Sequence, residues 1–221
     1  MSDLLLQRRI LLQKARLYGI LDLGYVAEKR LVPVGQAMIA GGVDIIQLRA
    51  KGRSGAEVLA LARLLQPIFR GTETLFIVND HPDAAREADA DGVHIGQEDG
   101  LVPDIRKLLA PGQLVGKSSH SVEQAVAAAG EGADYIGVGP IYATPTKPDY
   151  VPVGLGLIGK VAAQVTIPRF CIGGIKRENL EEVLAAGADR VVVVSGILQA
   201  PDVTAYCREL KSRVGVKGLL A

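Results

Sequence analysis

Ala40-Gly41-Gly42-Val43-Asp44-Ile45-Ile46-Gln47-Leu48-Arg49 ends a helical pattern on glycine, passes through an apolar–Asp step and enters a short run of strand character. The phrase returns as Gly130-Glu131-Gly132-Ala133-Asp134 before Tyr135, and as Ala186-Gly187-Ala188-Asp189 before Arg190. Glycine stops a helix because it takes up the left-handed conformation without a Cβ clash. Three copies of one helix-to-strand junction indicate a repeating β/α unit.

Outward from these junctions, short apolar runs alternate with longer helical patterns. The runs are Tyr18–Asp22, Ile45–Arg49, Leu75–Asn79, Gly92–Gly96, Leu114–Ser118, Tyr135–Gly139, Arg169–Ile172 and Arg190–Val194. Their length and β-branched content suit parallel strands buried on both faces. Glu57–Leu65, Val122–Ala129 and Leu180–Ala186 carry helical spacing, with Ser121 and Asn179 where N-caps are expected. Eight such units in 221 residues predict an α/β fold, a compact (β/α)₈ TIM barrel with little room for insertions. A doubly wound open sheet is the alternative, but no G-x-G-x-x-G follows the first strand. No composition break marks a second domain, so residues 1–221 are expected to form one domain. Residues 1–14 are expected to add a helix at the bottom of the barrel or at a dimer contact.

Hydrophobic residues make up 48% of the chain and aromatics 4%, with no Trp, so the core must be aliphatic. A formal net charge of +1 argues against a general nucleic-acid-binding surface. Cys171 and Cys207 provide neither a disulfide framework nor zinc-ligand spacing, and Cys171 reads as an inert buried thiol. Arg8, Arg9, Lys14 and Arg16 interrupt the N-terminal segment, which therefore lacks a signal-peptide core. No run of about 18 apolar residues suggests a membrane span. A soluble cytoplasmic protein is expected.

In a barrel, the carboxyl ends of the strands converge on one face. The second strand delivers Gln47, Arg49 and Lys51 by alternation, and period-two spacing can aim all three side chains toward the barrel axis. Asn79-Asp80 ends the third strand, and Gln97-Glu98-Asp99 follows the fourth, which carries His94. The fifth delivers Ser118 and His120. Gly139-Pro140-Ile141-Tyr142-Ala143-Thr144-Pro145-Thr146-Lys147 follows the sixth, Gly173-Gly174 the seventh and Val194-Ser195-Gly196 the eighth. Carboxylates hold a hard cation through oxygen, while Arg and Lys hold phosphate oxygens. Glycine lets backbone N–H groups approach an anion. Two anionic sites on one face are thus expected. One takes a pyrophosphate with its metal, near Arg49, Lys51 and Lys147. The other takes a monophosphate, held mainly by backbone. Each carboxylate taken singly also has a plainer reading as a turn or cap residue.

The same segments, in order, resemble the thiamine phosphate synthase family from Tyr18 to about Ile197. The matching pieces are Gln47-Leu48-Arg49-Ala50-Lys51, Asn79-Asp80, Asp91-Gly92-Val93-His94-Ile95-Gly96-Gln97-Glu98-Asp99, the Gly139–Lys147 segment, Ile172-Gly173-Gly174-Ile175 and Val193-Val194-Ser195. The resemblance implies that a thiazole phosphate displaces pyrophosphate from a hydroxymethylpyrimidine diphosphate. The carbon–oxygen bond would break first, leaving a pyrimidine cation. It implies Mg²⁺ on Asp80 and Asp99. Gln47, Arg49, Lys51, Asn79, Ser118 and Lys147 would hold the pyrimidine substrate, with Tyr18 and His94 lining its pocket. Arg49, Lys51, Ser118 and Lys147 are the residues expected to act on the departing group. Thr144, Thr146, Gly174, Val194 and Ser195 would hold the thiazole phosphate. Ala50 stands where the family often has an acid, and Gly196 where Ala is usual. The implied partners are these small molecules, with neither nucleic acid nor membrane; a homodimer is the expectation for a compact barrel. Two rivals remain: a related thiazole tautomerase, using His120 within Lys117-Ser118-Ser119-His120-Ser121, and a non-catalytic phosphate-binding barrel.

Overall fold

A computed structural model describes residues 3–144 and 151–215. Among these, eight parallel strands close into a barrel in sequence order. They are β1 (Leu17–Asp22), β2 (Ile45–Arg49), β3 (Leu75–Asn79), β4 (Gly92–Ile95), β5 (Leu114–Ser119), β6 (Tyr135–Val138), β7 (Arg169–Cys171) and β8 (Val191–Val193). Between or beyond them lie α2 (Leu31–Ala40), α3 (Gly55–Leu65), α4 (Pro82–Glu87), α5 (Val102–Leu108), α6 (Val122–Gly130), α7 (Gly156–Ala162), α8 (Leu180–Ala185), α9 (Ser195–Leu198) and α10 (Val203–Gly215). Helix α1 (Asp3–Lys14) precedes the first strand. No described helix is long and apolar enough to cross a membrane.

Alternation along each strand sorts side chains into two cores. The outer one, between strands and helices, includes Leu21, Ile46, Leu48, Phe76, Val78, Val93, Val115 and Ile136. The inner one fills the barrel with Tyr18, Ile20, Ile45, Leu75, Ile77, Leu114, Tyr135, Phe170 and Val192. Leu12 and Ala15 belong to this inner cluster, so the end of α1 and the residue just past it seal the amino-terminal mouth. Gly116 makes room inside: a Cβ there would lie 2.1 Å from Cζ of Tyr135.

The junction aspartates do more than begin their strands. Asp44 Oδ2 accepts from the N–H groups of Arg16 and Leu17 at 2.8 and 2.9 Å. Asp91 accepts from Phe76 N–H at 2.8 Å, and Asp134 from Val115 N–H at 2.9 Å. Each carboxylate thus satisfies backbone donors at or beside the start of the preceding strand, groups that are costly to bury unpaired. Helix α1 adds the counter-charges. Arg8 meets Asp91 at 2.7 Å, and Arg9 meets Asp134 at 2.8 Å. This ring holds the bottom of the barrel and leaves the opposite mouth for chemistry. Ser121 caps α6 by accepting from Gln124 N–H. Asn179 occupies the N-cap position of α8 but makes no side-chain cap bond; its amide serves the neighbouring loop.

Candidate active site

A cavity opens at the carboxyl-terminal mouth. Tyr18, Gln47, Arg49, Asn79, His94 and Ser118 line one side of it. Thr144, Gly173, Gly174, Val194 and Ser195 line the other. His120, Tyr135 and Phe170 also face it. Sequence positions spread from 18 to 195 therefore converge as strand-end placement requires. Lys51 is not among the lining residues. Strand β2 ends at Arg49, and the chain then turns through exposed Lys51 to Gly52 at φ +81°. Alternation therefore stops where pairing stops. Thr146 and Lys147 lie outside the described residues.

Arg49 is the buried cation of the cavity, only 9% exposed. Its Nη1 meets Asp22 Oδ2 at 2.7 Å. Asp22 is itself buried, and its Oδ1 accepts from Gly24 N–H at 2.8 Å. The pair is set by strand register, since Asp22 lies directly beside Arg49. Asp22 thus holds the guanidinium in place with a charge-assisted bond. The sequence signal for it was parity: Asp22 follows Tyr18 and Ile20 on the inward face and ends β1.

Asp80 and Asp99 sit at the rim, exposed, after neighbouring strands. Asp80 has a left-handed backbone, φ +59°, and its N–H donates to the His94 carbonyl at 2.9 Å. Asp99 Oδ2 accepts from Gly96 N–H at 2.6 Å, closing a tight turn. Lys117 anchors this loop from behind by donating to Gly100 O at 3.1 Å and Glu131 at 2.9 Å.

The inner wall is a run of polar groups. Gln47 Nε2 donates to Tyr18 OH at 2.6 Å, and Tyr18 OH lies 3.2 Å from Tyr135 OH. Tyr135 OH is 3.3 Å from His94 Nδ1, and His94 Nε2 is 3.0 Å from Ser118 Oγ. Burial pushes both phenol pKa values above their ordinary value, so both stay protonated. Tyr135, absent from the sequence-based site, is the centre of this run. Its cue was an inward-facing tyrosine opening an otherwise aliphatic strand.

On the opposite side, Gly173 and Gly174 have φ +101° and +65°. A Cβ on Gly173 would lie 2.4 Å from Pro140 Cα, and one on Gly174 2.7 Å from Tyr142 Cβ, so glycine is required at both. Asn179 braces the turn, donating to Gly174 O at 3.0 Å and accepting from Lys176 N–H at 2.8 Å. The cysteines take no part. Cys171 and Cys207 are buried, and burial raises both thiols to about 12.

A closed (β/α)₈ barrel with its polar cavity at the carboxyl ends of the strands defines a barrel enzyme of the usual layout. The family model described as thiamine monophosphate synthase matches residues 17–197. A thiamine-phosphate synthase from Shouchella clausii is 47% identical over 196 residues, covering 88% of this chain and 94% of that one. Another, from Halalkalibacterium halodurans, is 42% identical over 92% of this chain and 97% of its own. The solved thiamine phosphate pyrophosphorylase of Pyrococcus furiosus superposes with TM-score 0.83 at 33% identity, covering 95% of this chain and 98% of that one. The chain belongs to the thiamine monophosphate synthase family and is a transferase of the thiamine-phosphate diphosphorylase type.

Proposed function

We propose that the chain joins 4-amino-5-hydroxymethyl-2-methylpyrimidine diphosphate to a thiazole phosphate, releasing pyrophosphate and thiamine phosphate. The observation that carries this reading is Arg49: a buried guanidinium, fixed by Asp22, opening on the cavity that Asn79 and Ser118 also line. Such a group suits an anion that must be bound, and then released, in one orientation.

The pyrimidine ring would lie against Tyr18, Gln47 and His94. Its diphosphate would meet Arg49, Asn79 and Ser118, with Lys51 and Lys147 adding positive charge. The thiazole phosphate would take the N–H groups around Gly174, Val194 and Ser195, with Thr144 and Thr146 beside it. Asp80 and Asp99 fit Mg²⁺ by their donor chemistry, two carboxylates in the loops that follow adjacent strands. No cluster of three ligating side chains occurs among the described residues. That suits an ion which completes its shell with diphosphate oxygens and water. Once bound, it would offset the charge of the departing diphosphate.

Among the described residues, no cavity-lining side chain is an activated nucleophile, and none is required for this reaction. Arg49 and its neighbours therefore act by stabilising charge as the carbon–oxygen bond breaks. The inner wall holds the pyrimidine cation away from water until the thiazole nitrogen attacks. Purified protein should form thiamine phosphate, read by fluorescence after oxidation, only with both substrates and Mg²⁺, and should lose activity in EDTA. Full activity in EDTA overturns the metal assignment. No product from folded protein overturns the coupling reaction and makes His120, which lines the same cavity, the next residue to substitute.

A further inference from the structure

The run Gln47–Tyr18–Tyr135–His94–Ser118 crosses the barrel from β2 to β5, and it begins and ends on residues that face the cavity. Each phenol carries one O–H, and a neutral imidazole carries one N–H. With His94 neutral, the chain can therefore point in only two directions. In one, Gln47 donates to Tyr18, Tyr18 to Tyr135, Tyr135 to His94 Nδ1, and His94 Nε2–H to Ser118. Gln47 then turns its amide oxygen to the cavity, and Ser118 turns its O–H. In the other, all four bonds reverse, and Gln47 presents its NH₂ while Ser118 presents only lone pairs. The two ends never offer the same character.

The amide of Gln47 has its nitrogen toward Tyr18, which is the first direction. Among the described residues, nothing donates to its amide oxygen. The cavity in this state asks for a donor at Gln47 and an acceptor at Ser118. A 4-aminopyrimidine diphosphate supplies both, an exocyclic amine at one end and anionic oxygens at the other.

We propose that Tyr135 is a positioning residue that couples recognition of the pyrimidine amine to recognition of the diphosphate, and so makes the enzyme specific for 4-amino over 4-oxo pyrimidines. The inference rests on the pyrimidine substrate assigned above. A 4-oxo ring puts an acceptor at Gln47. Satisfying it reverses the chain and aims Ser118 lone pairs at the diphosphate. One wrong group thus disrupts two contacts, and sites built to bond a polar group reject its mismatch strongly. The aromatic packing that holds the phenols does not depend on their hydroxyls. Phe170 meets both rings edge-on, with centroids 5.5 and 5.7 Å away. Phenylalanine can therefore replace either tyrosine with its ring contacts kept.

The test compares dissociation constants for the 4-amino and 4-oxo pyrimidine diphosphates by calorimetry, in wild type, Tyr135→Phe and Tyr18→Phe, alongside turnover of each. Either substitution cuts the chain and lets its ends set their direction independently. The expected result is a fall of about tenfold or more in the amino-to-oxo preference, the same in both variants. Equal weakening toward both ligands, with the preference unchanged, overturns the coupling. The second variant decides the matter if the first fails to fold. A wild type that prefers the amine in binding yet makes no product would refute the coupling reaction and leave the relay standing.

Discussion

Asp22→Asn tests the centre of the site because it removes a charge while keeping the side chain's shape. In the wild type, Asp22 Oδ2 lies 2.7 Å from Arg49 Nη1, with side-chain exposures of 3% and 11%. Asparagine leaves the guanidinium buried without a counter-charge, a loss that costs about 3 kcal/mol, the lower end of the range, because one acceptor oxygen remains. For a chain of this size that lowers Tm by about 6–12 °C. If Arg49 faces the diphosphate, inorganic pyrophosphate with Mg²⁺ restores the missing negative charge in the folded state only. Ligand binding stabilises by mass action, and the gain is greatest where the unliganded state carries the penalty. Scanning calorimetry should therefore find the gap between wild type and variant less than half as large with pyrophosphate and Mg²⁺ as without them. A gap of the same size under both conditions would refute the placement of Arg49 against the diphosphate, whatever the loss of stability.

Four other substitutions probe separate parts of the account. Asp99→Asn should raise the Mg²⁺ concentration giving half-maximal rate by about tenfold or more; an unchanged Mg²⁺ titration removes Asp99 from the metal site. Gly174→Ala places a Cβ 2.8 Å from Ala143 O at φ +65°, so KM should rise for the thiazole phosphate and stay level for the pyrimidine substrate. Equal rises would take Gly174 out of the thiazole site. Arg8→Ala cuts the α1 anchor to Asp91 and to Gly112 O, lowering stability by about 1–3 kcal/mol, with the rate at 25 °C unchanged. Denaturant melts with parallel rate assays separate the two effects. Cys171 titrates near 12 in the fold but at about 8.5 when unfolded, so its contribution is whole below about pH 8.5 and declines as pH rises toward 12. Stability should fall by about 2 kcal/mol per buried thiol by pH 10, and Cys171→Ala should show a shallower loss of Tm between pH 8 and 10.

The parts of the fold that depend on neighbouring residues were legible in the chain. Apolar runs such as Val191–Val193 mark strands, and the left-handed Gly42, Gly132 and Gly187 of the junction phrases follow the helix ends. Barrel placement brought the strand-end residues together, and the cavity lining includes Gln47, Arg49, Asn79, His94 and Ser118. What escaped depends on partners distant in sequence. Asp44 and Asp134 read as junction residues, yet they bond the N–H groups of Leu17 and Val115, placed there by barrel closure. Asp22 gains its meaning only from register with Arg49. Tyr135 gains its own from Tyr18 and His94 across the interior. Lys51 lies past the last paired residue of β2, where a turn removes the constraint that produces alternation.

The most direct measurement is a crystal structure of the protein with thiamine phosphate, pyrophosphate and Mg²⁺ bound. The account predicts pyrophosphate against Arg49, Asn79 and Ser118, with the ion between it and Asp80 and Asp99. It predicts the phosphate of the product on the backbone at Gly174, Val194 and Ser195. Pyrophosphate bound away from Arg49, or a metal held by neither aspartate, would contradict it.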